Sequence, residues 1–214
     1  MSENPLEVVV DTQLPVREVD EKTYQEVLAD CVRVMRESGL PHAFMGGLAS
    51  TVYGRERNTH DLDVFVRPED AESTLKVLAA AGYRTEKSNP DWIFKATKRG
   101  LLVDVIYRGT DGAVFDEEMQ KRARVMDFRG SRLPIVAPED LLALKLAAFR
   151  EDTARQWYDC LAVLETQELD WDYLCRRAAR RPQRVLALLI YAAGEGIPVS
   201  WPAIDRLLGV SRPR

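Results

Sequence analysis

Phe44 to Val66 reads FMGGLASTVYGRERNTHDLDVFV, and the rest of the chain is organised around this stretch. Its apolar start breaks at Gly46-Gly47, the signature of a short strand entering a tight turn. Leu48 to Tyr53 is a run of mostly small residues, long enough for two helical turns. After a charged loop, Asp61-Leu62-Asp63-Val64-Phe65-Val66 has the β-branched and aromatic content of a strand. Side chains alternate along a strand, so Asp61, Asp63 and Phe65 share one face and Leu62, Val64 and Val66 the other. Two carboxylates side by side in a folded core are costly unless a cation lies between them.

Upstream, Met1 to Val19 is arm-like, with one strand-like run at Val8-Val9-Val10. Asp20 to Ser38 has helical periodicity, with a stripe of Tyr24, Val27, Leu28, Cys31, Val34 and Met35, and Gly39 and Pro41 end it. His42 to Met45 is the strand that enters the glycine turn. Downstream, Pro68 opens a helix that Gly82 stops. Strands are expected at Tyr83 to Glu86, Asp91 to Thr97 and Leu101 to Tyr107, then a short helix from Phe115 to Arg122. Val125 to Phe128 and Ser131 to Val136 form a hairpin about Arg129-Gly130. From Pro138 the pattern is helical alone. Helices are expected from Pro138 to Phe149, with Leu141, Leu144, Lys145 and Ala148 on one face, and from Asp152 to Thr166. Others follow at Trp171 to Arg180, Gln183 to Ala193 and Pro202 to Leu208. The expected organisation is an α/β part over 1–137, a mixed sheet flanked by helices, followed by a helical bundle over 138–214.

Composition bounds the function. With 46% hydrophobic and 30% charged residues the chain has the make-up of a soluble globular protein. A net charge of -4 gives no global attraction to nucleic acid or anionic lipid, so such binding would need a local patch. Cys31, Cys160 and Cys175 lack metal-site or disulfide spacing, and His42 and His60 are the only imidazoles. No apolar run is long enough to span a membrane and no signal-peptide pattern is present, which points to the cytoplasm.

Asp104 is the one polar residue in LLVDVIY, where it must be paired, capping something or ligating a metal. If its strand neighbours that of Asp61 and Asp63, the carboxylates converge. Such an oxygen-only set suits Mg²⁺ or Mn²⁺ rather than zinc. The Gly46-Gly47 turn lets backbone N–H groups approach a phosphate, and the following helix start adds a positive dipole end. Together these point to nucleoside-triphosphate chemistry.

Gly46-Gly47, then Arg57-x-Thr59-x-Asp61-Leu62-Asp63, then Asp104 on a later strand resembles the DNA polymerase β-type nucleotidyltransferase superfamily. Within it the chain is most similar to small bacterial members, which include toxin–antitoxin and abortive-infection proteins and antibiotic-modifying enzymes. PEDLLALKLAAFRED followed by RQWYDCLAVL resembles that group's second block, with Lys145 on one helix and Asp159 on the next. The resemblance covers about Ala43 to Leu164. It departs at Gly46-Gly47, where many members have Gly-Ser; Ser50 is then the candidate for a hydroxyl contact to phosphate.

The resemblance implies a two-metal, in-line displacement at the α-phosphoryl group with pyrophosphate leaving. Asp61 and Asp63 would hold both ions, and Asp104 would ligate the one that activates the acceptor hydroxyl and could take its proton. Arg57 and Lys145 are candidates for neutralising the triphosphate, and Asp159 matches a position near the active site. The bland alternatives are a solvated edge strand for Asp61 and Asp63, a buried acid paired with arginine for Asp104, a snorkelling Lys145, and an Asp159–Arg155 pair. Arg176, Arg177, Arg180, Arg181 and Arg184 cluster in the helical part, either as a solvated face or as a local patch for RNA phosphates. The acceptor is accordingly tRNA or another RNA end, a protein, or a small hydroxylated molecule such as an aminoglycoside. The first of these, transfer to an RNA end or a protein as in the toxin-like relatives and with an antitoxin partner, is the leading expectation, and the small-molecule enzyme or a non-catalytic, antitoxin-like binding protein of the same fold is the alternative. Intact carboxylates argue against the non-catalytic form.

Overall fold

The computed structural model describes residues 12–55 and 57–211; the Val8-Val9-Val10 run lies outside them. Helix α1, Glu21–Ser38, starts where the Asp20 side chain accepts from the Thr23 N–H and ends at Gly39, which takes φ 67°. Its expected stripe, Tyr24 through Met35, is buried. The chain then forms β1, His42–Phe44, and α2, Gly46–Val52, before crossing back as β2, Asp61–Val66. Pro68 opens a single 3-10 turn before α3, Ala71–Ala80. Strands β3, Arg84–Asn89, β4, Ile93–Lys98, and β5, Leu101–Ile106, follow, then α4, Glu117–Arg122. The hairpin is β6, Arg124–Phe128, and β7, Ser131–Ile135.

These strands make one mixed seven-stranded sheet in the order β3-β4-β5-β2-β1-β7-β6. The order matters because β5 joins β2 in parallel, with Asp63 directly opposite Asp104 and Asp61 opposite Leu102. Residues opposite each other in a ladder share a face, so this pairing brings the acids together. The hairpin is late in the chain yet enters the sheet: β7 pairs in parallel with β1, and β6 takes the edge. Helices α1 and α3 pack on each other and on the sheet, while α2 packs on β2.

The helical part contains α5, Pro138–Ala148, α6, Arg155–Thr166, α7, Trp171–Arg177, α8, Pro182–Gly194, and α9, Trp201–Ser211. Instead of showing one apolar face, α5 is buried nearly all round, Glu139, Asp140 and Lys145 included. It touches α2 on the sheet side and α6, α7 and α8 on the other, which explains why no single face is solvated. The third expected helix ends early, at Arg177, and passes into a 3-10 turn over Ala178–Arg180. The apolar core is continuous from Tyr24 to Leu207. Among the described residues, no helix is long and apolar enough to cross a membrane.

Candidate active site

The strand register brings one oxygen each of Asp61, Asp63 and Asp104 within 4.8 Å of one another. Each is oriented by its surroundings. The Thr59 hydroxyl lies 3.1 Å from Asp61 Oδ1, and the Met45 N–H holds the Asp63 carbonyl at 3.0 Å. Lys95 Nζ, from β4, donates to Asp104 Oδ1 at 3.0 Å. Burial and then the charges of Asp61 and Asp104 push the Asp63 carboxyl well above the ordinary range, against the pull of Lys145 and the Gly47 N–H. Burial likewise raises Asp104, with Lys95 opposing and Asp61 adding to the rise. A half-buried, all-oxygen set in which Asp63 and Asp104 are held above the ordinary carboxylate range fits a hard divalent cation of the Mg²⁺ or Mn²⁺ kind.

The glycine turn fits round the acids before it can fit round any phosphate. Gly46 takes φ +64°, and a Cβ there would fall 1.7 Å from Asp63 Oδ2. At Gly47 a Cβ would meet Arg57 Nη2 at 2.4 Å and Thr59 Oγ1 at 2.6 Å. Both glycines are therefore needed for close packing of the turn against the carboxylate side. Helix α2 has only seven residues, so the expected dipole contribution is small and backbone proximity is what the turn offers.

Asp159 is the hub of a second cluster. It is fully buried and accepts from Lys145 Nζ at 2.8 Å. Arg57 and Arg55 approach its other oxygen with Nε at 3.5 and 3.6 Å, and these nitrogens lack a hydrogen-bond partner. Arg155 is not among its partners. Ser50 is fully buried as well, donating to the Gly46 carbonyl at 2.9 Å and to Asp159 at 3.3 Å. Its hydroxyl thus supports the turn from behind instead of facing a phosphate. Lys145 is a buried, paired ammonium rather than a snorkelling one, and its charge reaches Asp63.

A cavity of about 1000 Å³ opens over these groups. Its wall includes Asp61, Asp63, Gly46, Gly47, Arg57 and Lys145, whereas Asp104, one strand over, is not part of it. Trp92 and Arg108 face it from beyond the sheet, and Arg155 and Gln156 from the start of α6. Sequence reasoning passed over Lys95 and Thr59 as site residues. Thr59 was signalled by standing two residues before Asp61, and Lys95 by its register on the hairpin.

The structure divides the arginine cluster between partly buried and exposed members. Arg176 pairs with Glu118 at 2.9 Å, and Arg177 with Asp116 at 2.7 Å and Asp140 at 2.8 Å. Arg180 donates to the Asp111 carbonyl at 3.3 Å, and Arg184 closes the end of α5 through the carbonyls of Leu146, Ala147 and Phe149. Buried Asp140 and the open end of α5 draw Arg177 and Arg184 inward, whereas Arg176, Arg180 and Arg181 stay exposed. Arg177→Ala should destabilise the fold by roughly 2–3 kcal/mol, less than a fully dry pair because Tyr173 still donates to Asp140. Burial pushes the Asp140 carboxyl up to about 7 against the pull of Arg177, so losing Arg177 raises it further. A raised acid binds more protons folded than unfolded, and the variant's deficit should widen as pH rises through about 7. Denaturant melts at pH 5 and pH 8 check this.

Residues 18–195 match the model of a protein family described as uncharacterised nucleotidyltransferases. No curated protein shows significant sequence similarity to the chain. Among solved structures the fold is similar to the antibiotic-resistance factor ANT(2'')-Ia, with a TM-score of 0.56 at 16% identity over 82% of this chain and 100% of that one. The crystal structure of ANT(2")-Ia in complex with adenylyl-2"-tobramycin gives a TM-score of 0.55 at 18% identity, covering 75% of this chain and 98% of that one. At such identity the likeness is one of fold. The family match spans most of the chain and includes every acid of the cluster, and on that ground the chain belongs to this nucleotidyltransferase family.

Proposed function

We propose that the protein transfers a nucleoside monophosphate from a nucleoside triphosphate to a hydroxyl acceptor, with pyrophosphate leaving. The observation that carries this reading is the convergence of Asp61, Asp63 and Asp104 beside a glycine turn and a cavity. These acids would hold Mg²⁺ or Mn²⁺, which when bound neutralises and polarises the phosphoryl oxygens. Gly46 and Gly47 keep the turn close enough for the triphosphate to reach the acids. Arg57, with 22% of its side chain exposed and a loose hold on Asp159, is the cation best able to turn toward the phosphates. Lys145 and Asp159 act together as a buried pair that fixes α5 against α6 and sets the field at Asp63. The helical part from residue 138 supplies that second wall.

Arg177 and Arg184 are spent inside the fold, and the cavity beside the acids makes a small hydroxylated molecule the preferred acceptor. A cavity of about 1000 Å³ is enough for a nucleotide and a compact second substrate. The fold's likeness to an enzyme solved with an adenylylated aminoglycoside supports that preference by analogy. Incubating the protein with Mg²⁺, each α-labelled nucleotide in turn and a cell extract tests it. Label is expected in the low-molecular-weight fraction; label on RNA or protein would reassign the acceptor.

A second expectation concerns binding. Carboxylates repel a triphosphate until a cation intervenes, so Mg²⁺ should tighten nucleotide binding at least ~10-fold. Titration calorimetry with and without chelator decides it, and equal affinities would put the nucleotide away from the acids.

A further inference from the structure

The cavity extends to both sides of the strands that carry the acids. In the sheet order β4-β5-β2-β1, the glycine turn leaves β1 on one side, with Arg57 and Lys145 near it, whereas Trp92 enters β4 on the other. On that second side the floor runs along β5. Ile106 shares a face with Asp104, stands about 7 Å further along the strand, and lines the cavity with Trp92 and Arg108. Trp92 is 43% exposed, yet its turn is fixed: the Tyr107 N–H donates to the Trp92 carbonyl at 3.0 Å, and the Tyr107 hydroxyl to the Asn89 carbonyl at 3.0 Å. The loop after β5 is held as well. A Cβ on Gly109 would meet Leu144 Cδ2 at 3.1 Å, so the segment carrying Arg108 lies against α5. Arg108 is exposed and, among the described residues, pairs with no acid. Acids are scarce in this cavity. Asp61 and Asp63 are assigned to the cation, Asp159 is held by Lys145, and Glu18 is the only other acid among the described lining residues.

We propose that the acceptor binds over β4 and β5, with a ring against Trp92 and an anionic group, a phosphate or carboxylate, on Arg108. This site presupposes the transfer reading above, and it narrows the acceptor from any small hydroxylated molecule to an anionic one with a ring face. A guanidinium makes two parallel hydrogen bonds to a phosphate or carboxylate, which fixes the ligand's orientation as well as selecting its charge. The indole adds a broad apolar face with a polar edge, and the ordered turn beneath it leaves little freedom to lose on binding. A polyamine acceptor such as an aminoglycoside would meet Arg108 as a like charge, with Glu18 the one unassigned acid to set against it.

The test separates a cell extract into retained macromolecules and a small-molecule filtrate, and passes the ribonuclease-treated filtrate over anion- and cation-exchange resins at neutral pH. Each fraction is offered to the full chain with Mg²⁺ and α-labelled nucleotide. Label transfer is expected with the anion-exchange eluate. Transfer only to the cation-exchange eluate, to the unretained solutes or to the macromolecules would overturn the proposal, and so would acceptor activity that ribonuclease destroys. With the active eluate, Arg108→Met should raise the acceptor KM about 10-fold and leave the nucleotide KM unchanged. Trp92→Ala should raise the acceptor KM several-fold, and Trp92→Phe should restore it. Both side chains are exposed, so these variants should melt as wild type does. A rise in the nucleotide KM with an unchanged acceptor KM would place Arg108 on the triphosphate and overturn the assignment. Transfer to no fraction at all would instead sink the transfer reading, from which the acceptor site follows.

Discussion

Asp63→Asn should reduce nucleotidyl transfer by about 1000-fold or more while raising the melting temperature of the metal-free protein. The loss follows from the acid's place at the centre of the cluster, between Asp61 on its own strand and Asp104 across the ladder. Cation-borne stabilisation of a phosphoryl transition state is worth several kcal/mol, and about 1.4 kcal/mol corresponds to each factor of ten. The stability gain has the opposite origin. Burial and two like charges hold the Asp63 carboxyl far above its ordinary range, and an amide removes that cost. Asp61→Asn should lose activity similarly. Asp104→Asn should lose it without the stability gain, because Lys95 would be left half-buried without its acid. Turnover and thermal melts on the same samples read both effects; activity within tenfold of wild type in any variant would remove that acid from the centre.

Gly46→Ala should be nearly as damaging, by about 100-fold or more in turnover, although it deletes no functional group. Two costs add. The residue sits at φ +64°, where a Cβ costs roughly 1–2 kcal/mol. That Cβ would also lie 1.7 Å from Asp63 Oδ2, so the carboxylate must leave its position. A displacement of about 1 Å in a reacting constellation is enough to cost about 100-fold. Gly47→Ala should be milder, since the atom it meets first is the end of the flexible Arg57 side chain. Comparing turnover with Mn²⁺ affinity in the two variants separates the cases: Gly46→Ala should weaken both, and wild-type Mn²⁺ affinity in it would contradict the packing argument.

Much of the site was legible because it is written in short periods. The Asp61-x-Asp63 alternation, the glycine turn and the lone polar residue of LLVDVIY each follow from one strand or turn read alone. What escaped depends on register between strands or on side chains reaching across the fold. Lys95 is the clearest case. Arg99 and Gly100 both take positive φ, 55° and 94°, as a two-residue hairpin turn requires. That turn pairs Lys98 with Leu101 and therefore Lys95 with Asp104. Read as a loop, Lys98 to Gly100 leaves the register open and Lys95 unassigned. For Asp159, which lines the cavity, the local alternative of a pair with Arg155 is not what forms. Its i,i+4 neighbour Arg155 is local, whereas its actual partners Lys145, Arg57 and Arg55 come from other elements. In the arginine run on α7 and α8, nothing local shows which members stay on the surface and which, as Arg177 and Arg184 do, turn toward Asp140 and the end of α5.

Nucleotidyl transfer at the acid cluster is tested most directly by following both ends of the triphosphate in one reaction. Protein, Mg²⁺ and an extract supplying acceptor are given nucleotide labelled at the α- or the γ-phosphate, with wild type and Asp63→Asn side by side. α-Label is expected on the acceptor and γ-label in pyrophosphate, and neither with Asp63→Asn or with chelator. Label from the γ-phosphate on the acceptor, or α-label transfer that survives Asp63→Asn, would contradict nucleotidyl transfer at these acids.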